Sequence, residues 1–243
     1  MAAQQHSSRR ARLREATLTE IREAARRLLT TRGPAAVTIN AVAREVGMSG
    51  PALYHYFSSH EELVTAVTAD FFRELTAAMD AARDARADAP PGERLLATCR
   101  AMRGWATAHP AEFGWVFAGS VPSAESARLR PDTPRNLAAR DFGMVFLRQL
   151  EDLWATAPFP VPAPDDLDPS VREQLRAYAD ALDGALPIEA LHVAMSCWIR
   201  LWGLLCMEVL NQLDFVYSDL GPVYEDTLRD LAGMLGLEYT PPA

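Results

Sequence analysis

The sequence predicts an all-α protein in which an N-terminal three-helix domain is joined by a long connector helix to a C-terminal helical bundle. Apolar residues recur at intervals of three and four along most of the 243 residues, which is the spacing of one helix face. Glycine-proline pairs such as Gly33-Pro34 and Gly221-Pro222 divide these periodic stretches into segments of helical length. No segment indicates a strand.

The first sixty residues divide into an arm and three helices. Residues 1–12 are polar and rich in arginine, which predicts a flexible basic arm. A helix is expected from about Arg12 to Arg32, with an apolar face that consists of Leu18, Ile21, Ala25 and Leu28. The predicted domains are therefore the arm, residues 13–60 and residues 61–243.

Residues 38–57 predict a helix, a tight turn and a second short helix. Thr38 and Ser49 are suited to cap the two helices, and Gly47 can end the first in the left-handed conformation. Leu53 and Phe57, four residues apart, are expected to pack inward. Two helices joined through a glycine-containing turn indicate either a helix-turn-helix or an ordinary helical hairpin.

The residues favour the first alternative. The run from Thr38 through Ala41-Val42-Ala43, Gly47-Met48-Ser49 and Leu53-Tyr54-His55-Tyr56-Phe57 to Glu61-Glu62-Leu63 resembles the DNA-binding signature of the TetR family of bacterial transcriptional regulators. The resemblance implies that the second helix enters the major groove of double-stranded DNA.

The same resemblance implies individual roles. Residues near base edges would be Ser49, Gly50, Pro51 and Ala52. Tyr54, His55 and Tyr56 would contact phosphates or bases, and Thr38 and Arg44 would touch the DNA backbone. His60 stands where the family usually has lysine, and a neutral imidazole is a poorer phosphate partner.

The charge distribution agrees with a DNA-binding N-terminus. The net charge of the chain is −8, but residues 1–60 carry nine Arg and four Glu, a net of +5. Only this part has the positive footprint of a nucleic-acid-binding domain. The arm is then either a disordered tail or an extension that reaches phosphates or the minor groove.

Seven further helices are expected. Ser59 and Glu62 form a capping box that opens the connector helix, which runs to about Ala87. The later helices are expected at about 93–108, 110–118, 134–155, 169–182, 188–212 and 222–235, with loops at 119–134 and 157–169. Apolar residues occur almost all round the helix at 188–212, which predicts burial on more than one side.

Aromatic residues of the bundle indicate either an ordinary core or a cavity for an apolar small molecule. The stretches from Trp105 to Phe117 and from Trp198 to Glu208 resemble the Trp-His-Gly type of TetR C-terminal domain, although Trp202 stands where histidine is usual. A hydrophobic effector would then contact Met102, Trp105, Phe113, Phe117, Phe142, Phe146, Met195 and Trp198.

A homodimer is expected because two linked recognition helices select a palindromic operator. In the family the last two helices form the dimer interface, which here would include Trp202, Leu205, Val209, Leu228, Leu231 and Leu235. The resulting hypothesis is a repressor that the effector releases from DNA. A ligand-independent regulator and an activator are the alternatives.

Catalytic and metal motifs are not found in the sequence, so neither an enzyme nor a cofactor is expected. Cys99, Cys197 and Cys206 show no metal-binding spacing and are expected to be buried thiols, with a redox sensor as the alternative. The polar N-terminus lacks the apolar core of a signal peptide, and the most apolar stretch, 193–207, is too short to cross a bilayer. A cytoplasmic protein without a membrane partner is therefore expected.

Overall fold

The computed structural model describes residues 2–117, 132–182 and 186–242. Within these ranges the regular secondary structure is helical throughout, with no strand, which confirms the predicted all-α class. The α-helices in chain order are α1 (Ala2–Arg32), α2 (Ile39–Glu45), α3 (Gly50–Leu53), α4 (His60–Asp84), α5 (Pro91–Ala108), α6 (Pro110–Phe117), α7 (Pro134–Thr156), α8 (Pro169–Leu182), α9 (Ile188–Val209) and α10 (Gly221–Met234). Single turns of 3-10 helix lie at Pro34–Ala36 and Pro164–Asp166.

Two compact units make up the chain. Unit 1 contains residues 1–74 and 109–140, and unit 2 contains residues 75–108 and 141–243. Of the three changes of unit along the chain, two fall inside helices, α4 and α7, and the third falls between α5 and α6. The compact units thus differ from a linear division after residue 60, because the first half of α4 and all of α6 belong with the helix-turn-helix.

Unit 1 has a core to which α1, α2, α3, α4 and α6 each contribute a fully buried apolar side chain. These side chains are Ile21, Val42, Leu53, Leu63, Phe71 and Phe113. The predicted start of α1 at Arg12 is wrong, because the helix begins at Ala2. Residues 2–32 contain no Pro or Gly and are rich in Arg, Ala and Leu, which favour a helix over an extended arm. The flexibility of the arm stays a prediction.

Unit 2 is organised around α9, which contacts α5, α8 and α10. The buried face of α9 includes Leu191, Leu201 and Leu205. Two ion pairs connect α5 to its neighbours, from Arg103 to Glu208 on α9 at 2.6 Å and from Arg100 to Glu225 on α10 at 2.7 Å. These contacts fix α5 beside the last two helices.

Apart from the start of α1, the predicted boundaries of the helices outside the helix-turn-helix agree with the structure within three residues. The largest of these differences are at the end of α4, at Asp84 rather than Ala87, and at the end of α9, at Val209 rather than Gln212. Asn211, two residues after the end of α9, has a left-handed φ of 57°. The predicted loop at 119–134 lies largely outside the described residues. At 22 residues, α9 is long and apolar enough to cross a membrane, but core helices of soluble proteins pass the same test.

Candidate DNA-binding surface and bundle cavity

The caps of the helix-turn-helix form as the sequence predicts. The hydroxyl of Thr38 accepts a hydrogen bond from the Ala41 amide at 3.2 Å, and that of Ser49 accepts one from the Ala52 amide at 3.3 Å. Gly47 ends the first helix with a φ of 70°, which costs little for a residue without a Cβ. The turn between α2 and α3 is therefore specified by three local signals.

The second helix of the motif presents its polar and aromatic side to solvent. Helix α3 spans only four residues, and hydrogen-bonded turns continue it to Phe57. Leu53 and Phe57 are buried, as predicted. Of the residues expected to meet DNA, those at the surface are Ser49, Pro51, Tyr54 and His55, and those half-buried are Gly50, Ala52 and Tyr56.

Gly50 lies close to the side chain of Asn40, in addition to its expected place near DNA. A Cβ at this position would lie 2.6 Å from the side-chain oxygen of Asn40 on α2, well inside contact distance. Asn40 is exposed, so its side chain would have to turn away if Gly50 were replaced by a larger residue. Spacing alone does not pair these two residues, which lie ten apart in the sequence.

Arginines flank this surface. Arg44 is exposed on α2. Arg14 on α1 was not among the predicted contacts, yet its guanidinium lies 5.4 Å from the Tyr56 ring centre and 3.5 Å from the His55 carbonyl oxygen. The sequence feature that could have indicated Arg14 is the high arginine content of α1. Arg14 orders the turn after α3 and adds positive charge beside it.

His60 has a structural contact that the sequence did not indicate. Its Nε2 lies 2.7 Å from the carbonyl oxygen of Val37, the residue before the α2 cap. A carbonyl oxygen only accepts, so Nε2 carries the hydrogen and donates it. His60 thereby ties the first turn of α4 to the start of the helix-turn-helix, and its phosphate contact stays a prediction.

The capping box before α4 forms with a shifted partner. Ser59 accepts a hydrogen bond from the Glu62 amide at 3.0 Å, as predicted. The Glu62 carboxylate accepts from the amide and hydroxyl of Ser58, both at 2.6 Å, instead of from the Ser59 amide. The start of α4 is thus fixed by its caps as well as by His60.

Ion pairs, one of which includes a buried carboxylate, hold α4 and α6 against α1 within unit 1. Arg26 on α1 contacts Glu74 on α4 at 2.7 Å and Glu112 on α6 at 2.9 Å. Glu112 is almost fully buried. Arg22 forms a similar pair with Asp70 on α4 at 2.6 Å. These pairs fix the orientation of three helices around the core that supports α3.

The predicted ligand residues fall into both units. Phe113 and Phe117 belong to unit 1, where their ring centres are 4.9 Å apart. The other six belong to unit 2. Phe142 and Phe146 each contact Trp198, with ring centres 5.7 and 5.5 Å apart. Met102 and Trp105 are buried, and Met195 is half-buried.

Unit 2 contains an apolar cavity of about 50 Å³. Only Phe146 and Trp198 of the predicted ligand residues line it; the other lining residues are Leu95, Leu96, Cys99, Leu150, Ala194, Cys197, Leu201, Leu228, Leu231, Ala232, Leu235 and Leu237. Burial raises the pKa of Cys99 to about 12 and that of Cys197 to about 11, so both stay protonated at neutral pH. Protonated thiols are poor nucleophiles, which argues against a redox sensor here.

Five of the six residues expected at a dimer interface are buried inside their own unit. These are Leu205, Val209, Leu228, Leu231 and Leu235, and the last three also line the cavity. In a single chain these five side chains pack within unit 2, and their place at a dimer interface stays a prediction. Trp202 is half-buried and stacks on Trp198, with ring centres 5.0 Å apart. Other apolar residues of α9 and its end, Ile199, Met207 and Leu210, are exposed.

Comparison with known proteins places both regions in one family. Residues 21–67 match the family model for bacterial regulatory proteins of the tetR family, and residues 95–231 match that for the tetracyclin repressor-like C-terminal domain. The chain is 34% identical over 133 residues to an HTH-type transcriptional regulator of Mycobacterium bovis, and equally to one of Mycobacterium tuberculosis. Each alignment covers 55% of this chain and 56% of the relative, so the chain spans just over half the length of these curated relatives.

Solved structures show the same fold. The crystal structure of the regulatory protein SCO4313 matches with a TM-score of 0.70 and 28% identity, over 92% of this chain and 98% of that one. A protein of unknown function from Rhodococcus sp. RHA1 matches with a TM-score of 0.66 and 17% identity, over 90% and 95% of the two chains. The fold therefore extends over almost the whole length of both neighbours.

Proposed function

Because the chain belongs to the TetR family of DNA-binding transcriptional regulators, we propose that it is a homodimeric repressor that binds a palindromic operator and is released by a hydrophobic small molecule. The observation that supports this most directly is the capped helix-turn-helix, with Pro51, Tyr54 and His55 exposed beside Arg14 and Arg44. The protein acts in the cytoplasm, without a cofactor.

The exposed residues of the motif have distinct parts in DNA binding. Helix α3 enters the major groove, where the base-edge contacts come from Ser49, Gly50, Pro51 and Ala52. The phosphate and further base contacts come from Thr38, Arg44, Tyr54, His55, Tyr56 and His60. The positive charge of the first sixty residues supplies the salt-dependent part of the affinity.

Dimerisation compensates for the shortness of α3. A four-residue helix reaches few base pairs, whereas two copies related by a twofold axis read two half-sites. The half-site centres then lie about 34–36 Å apart, one turn of DNA. The partner surface is the exposed face of α9, where Ile199, Met207 and Leu210 leave apolar area uncovered and Trp202 is half-buried.

Ligand release requires the bundle to rearrange. A cavity of about 50 Å³ holds only a few water molecules, while ligand pockets usually measure about 300–1,000 Å³. The effector therefore binds well only to an arrangement in which the bundle has opened, and it shifts the population towards that state. Its coupling to DNA binding is set by its differential affinity for the two arrangements, typically about 1–3 kcal/mol.

The small cavity also supports a second candidate function. A bundle that is nearly filled in one arrangement is what a ligand-independent dimeric regulator needs. In that case the bundle only dimerises, and regulation comes from the abundance of the protein or from another partner. Activation instead of repression is compatible with the same DNA-binding surface.

A gel shift tests these alternatives. The purified protein is titrated against the DNA that flanks its own gene, with and without a panel of hydrophobic small molecules. We expect binding to a palindrome that at least one compound releases. Binding that no compound disturbs would favour the ligand-independent regulator, and the absence of binding would contradict autoregulation. Size-exclusion chromatography of Ile199→Arg, beside the exposed control Arg229→Gln, tests the dimer face.

A further inference from the structure

Besides the cavity in unit 2, the protein has a cavity in unit 1, which the proposed function does not use. It is a cleft of about 530 Å³, bounded by the 3-10 turn at Pro34–Ala36, the first turns of α4, helix α6 and the first turn of α7. This volume lies within the range of small-molecule sites. The cleft is about ten times larger than the bundle cavity and lies in the unit that carries the helix-turn-helix.

One wall of the cleft is apolar and has its polar atoms satisfied. Val64, Trp115 and Val116 are among the lining residues. The Trp115 indole donates a hydrogen bond to the Thr68 hydroxyl at 3.0 Å, and that hydroxyl donates to the Val64 carbonyl at 2.7 Å. The indole is therefore fixed in place, and the wall has no need of water to satisfy these groups.

Arg135 supplies an unpaired positive charge to the same cleft. It is half-buried in the first turn of α7, and among the described residues it has neither an ion-pair nor a hydrogen-bond partner. Burial alone lowers its pKa. By contrast Arg26, Arg100 and Arg103 are buried to a comparable degree, and the glutamates paired with each of them raise its pKa.

We infer that the cleft binds a small monocarboxylate with an aromatic body, whose carboxylate pairs with Arg135 and whose ring packs on Trp115 and the neighbouring valines. A guanidinium matches the planar carboxylate with two parallel hydrogen bonds. One guanidinium balances the charge of a monoanion, whereas a dianionic phosphate would keep an uncompensated charge. The ligand class therefore follows from one unpaired cation beside an aromatic wall.

The position of His60 gives this site a route to the DNA-binding surface. His60 lines the cleft and donates its hydrogen bond to the carbonyl of Val37, directly before the Thr38 cap of α2. A ligand in the cleft would thus lie beside the residue that joins α4 to the helix-turn-helix. This regulatory consequence rests on the proposed function, whereas the binding of the carboxylate does not.

Isothermal titration calorimetry of the full chain with 2-naphthoate and the uncharged 2-naphthamide tests the inference without DNA. We expect 2-naphthoate to bind at least about ten-fold more tightly, because a hydrogen-bonded charge pair is lost in the amide. Arg135→Met should abolish this preference, and Arg135→Lys should keep part of it. Arg140→Met, an exposed position on the same helix, is the matched control and should leave binding unchanged.

A bundle variant separates the two cavities. Phe146→Leu alters the lining of the cavity in unit 2 and should not affect 2-naphthoate binding. The inference is overturned if 2-naphthoate fails to bind at about 1 mM, if the amide binds equally well, or if Phe146→Leu weakens binding as much as Arg135→Met. It is also overturned if Arg135→Met only reduces the salt dependence of DNA binding, because Arg135 would then contact phosphate.

Discussion

Leu53 and Tyr54 are neighbours on the second helix of the motif. Replacing Leu53 with alanine should mainly lower stability, whereas replacing Tyr54 with alanine should mainly weaken DNA binding. Leu53 is fully buried and is the only buried residue of the four-residue helix α3. Replacing a buried leucine with alanine costs about 2–5 kcal/mol. Tyr54 is 52% exposed, so Tyr54→Ala should change stability by no more than about 0.5 kcal/mol.

At a temperature low enough for both variants to stay folded, Tyr54→Ala should weaken DNA binding more than Leu53→Ala does. Tyr54→Ala should stay folded and dimeric but bind the duplex that flanks its gene more weakly, with a salt slope reduced by about 1 if a phosphate contact is lost. Leu53→Ala should lose binding in proportion to the unfolded fraction of unit 1. Urea unfolding followed by circular dichroism gives the stability, and fluorescence anisotropy of the labelled duplex at several salt concentrations gives the affinity.

Two results would refute this reasoning. If Tyr54→Ala lowers stability as much as Leu53→Ala does, the phenol ring belongs to the core and the assignment of the DNA surface is wrong. If Tyr54→Ala leaves both affinity and salt slope unchanged, the ring faces solvent away from DNA.

Three further predictions concern charged or polar contacts of the two units. His60→Lys should add about one counterion to the salt slope of DNA binding, measured by anisotropy, while lowering stability by about 1 kcal/mol because its hydrogen bond is lost. Arg26→Met should destabilise the protein to urea by about 2–4 kcal/mol because it leaves the buried Glu112 carboxylate unpaired, whereas Arg27→Met, from an exposed pair, should cost less than about 1 kcal/mol. Arg100, which pairs with Glu225, lowers the pKa of that carboxyl. The stability that the ionised carboxylate adds is therefore present above about pH 4.3 and is lost as the pH falls further. In urea melts below that pH, Glu225→Gln should lose less stability than the unchanged protein does.

Local signals predicted the helix-turn-helix almost completely. Thr38, Gly47 and Ser49 act within three or four residues of themselves, so their caps and turn can be deduced from spacing alone. The same is true of Asp168, whose carboxylate accepts a hydrogen bond from the Ser170 amide at the start of α8 at 2.9 Å. The predicted start of α1 is ten residues too late, because a polar, arginine-rich composition does not by itself distinguish an arm from an exposed helix.

Contacts between distant residues could not be predicted in this way. An apolar stripe on a helix indicates that the stripe is covered, but not whether its own unit or a partner covers it. Leu228, Leu231 and Leu235, which the sequence predicts at a dimer interface, are buried within unit 2 of a single chain. The cleft in unit 1 joins His60 to Arg135, which are far apart in sequence. No local pattern shows that Arg135 lacks a carboxylate.

The shortness of α3 constrains how any ligand can control DNA binding. A helix of one turn has no stability by itself, so its orientation is imposed by its caps and by the burial of Leu53. Deforming α3 alone would break these contacts. The cost would exceed the coupling free energy between ligand binding and DNA binding, which is typically about 1–3 kcal/mol. Under the proposed function, a ligand that releases the protein from DNA would therefore have to move the helix-turn-helix as a body. The contacts at which such a movement can begin are those that join it to α4, His60 with Val37 and Arg22 with Asp70.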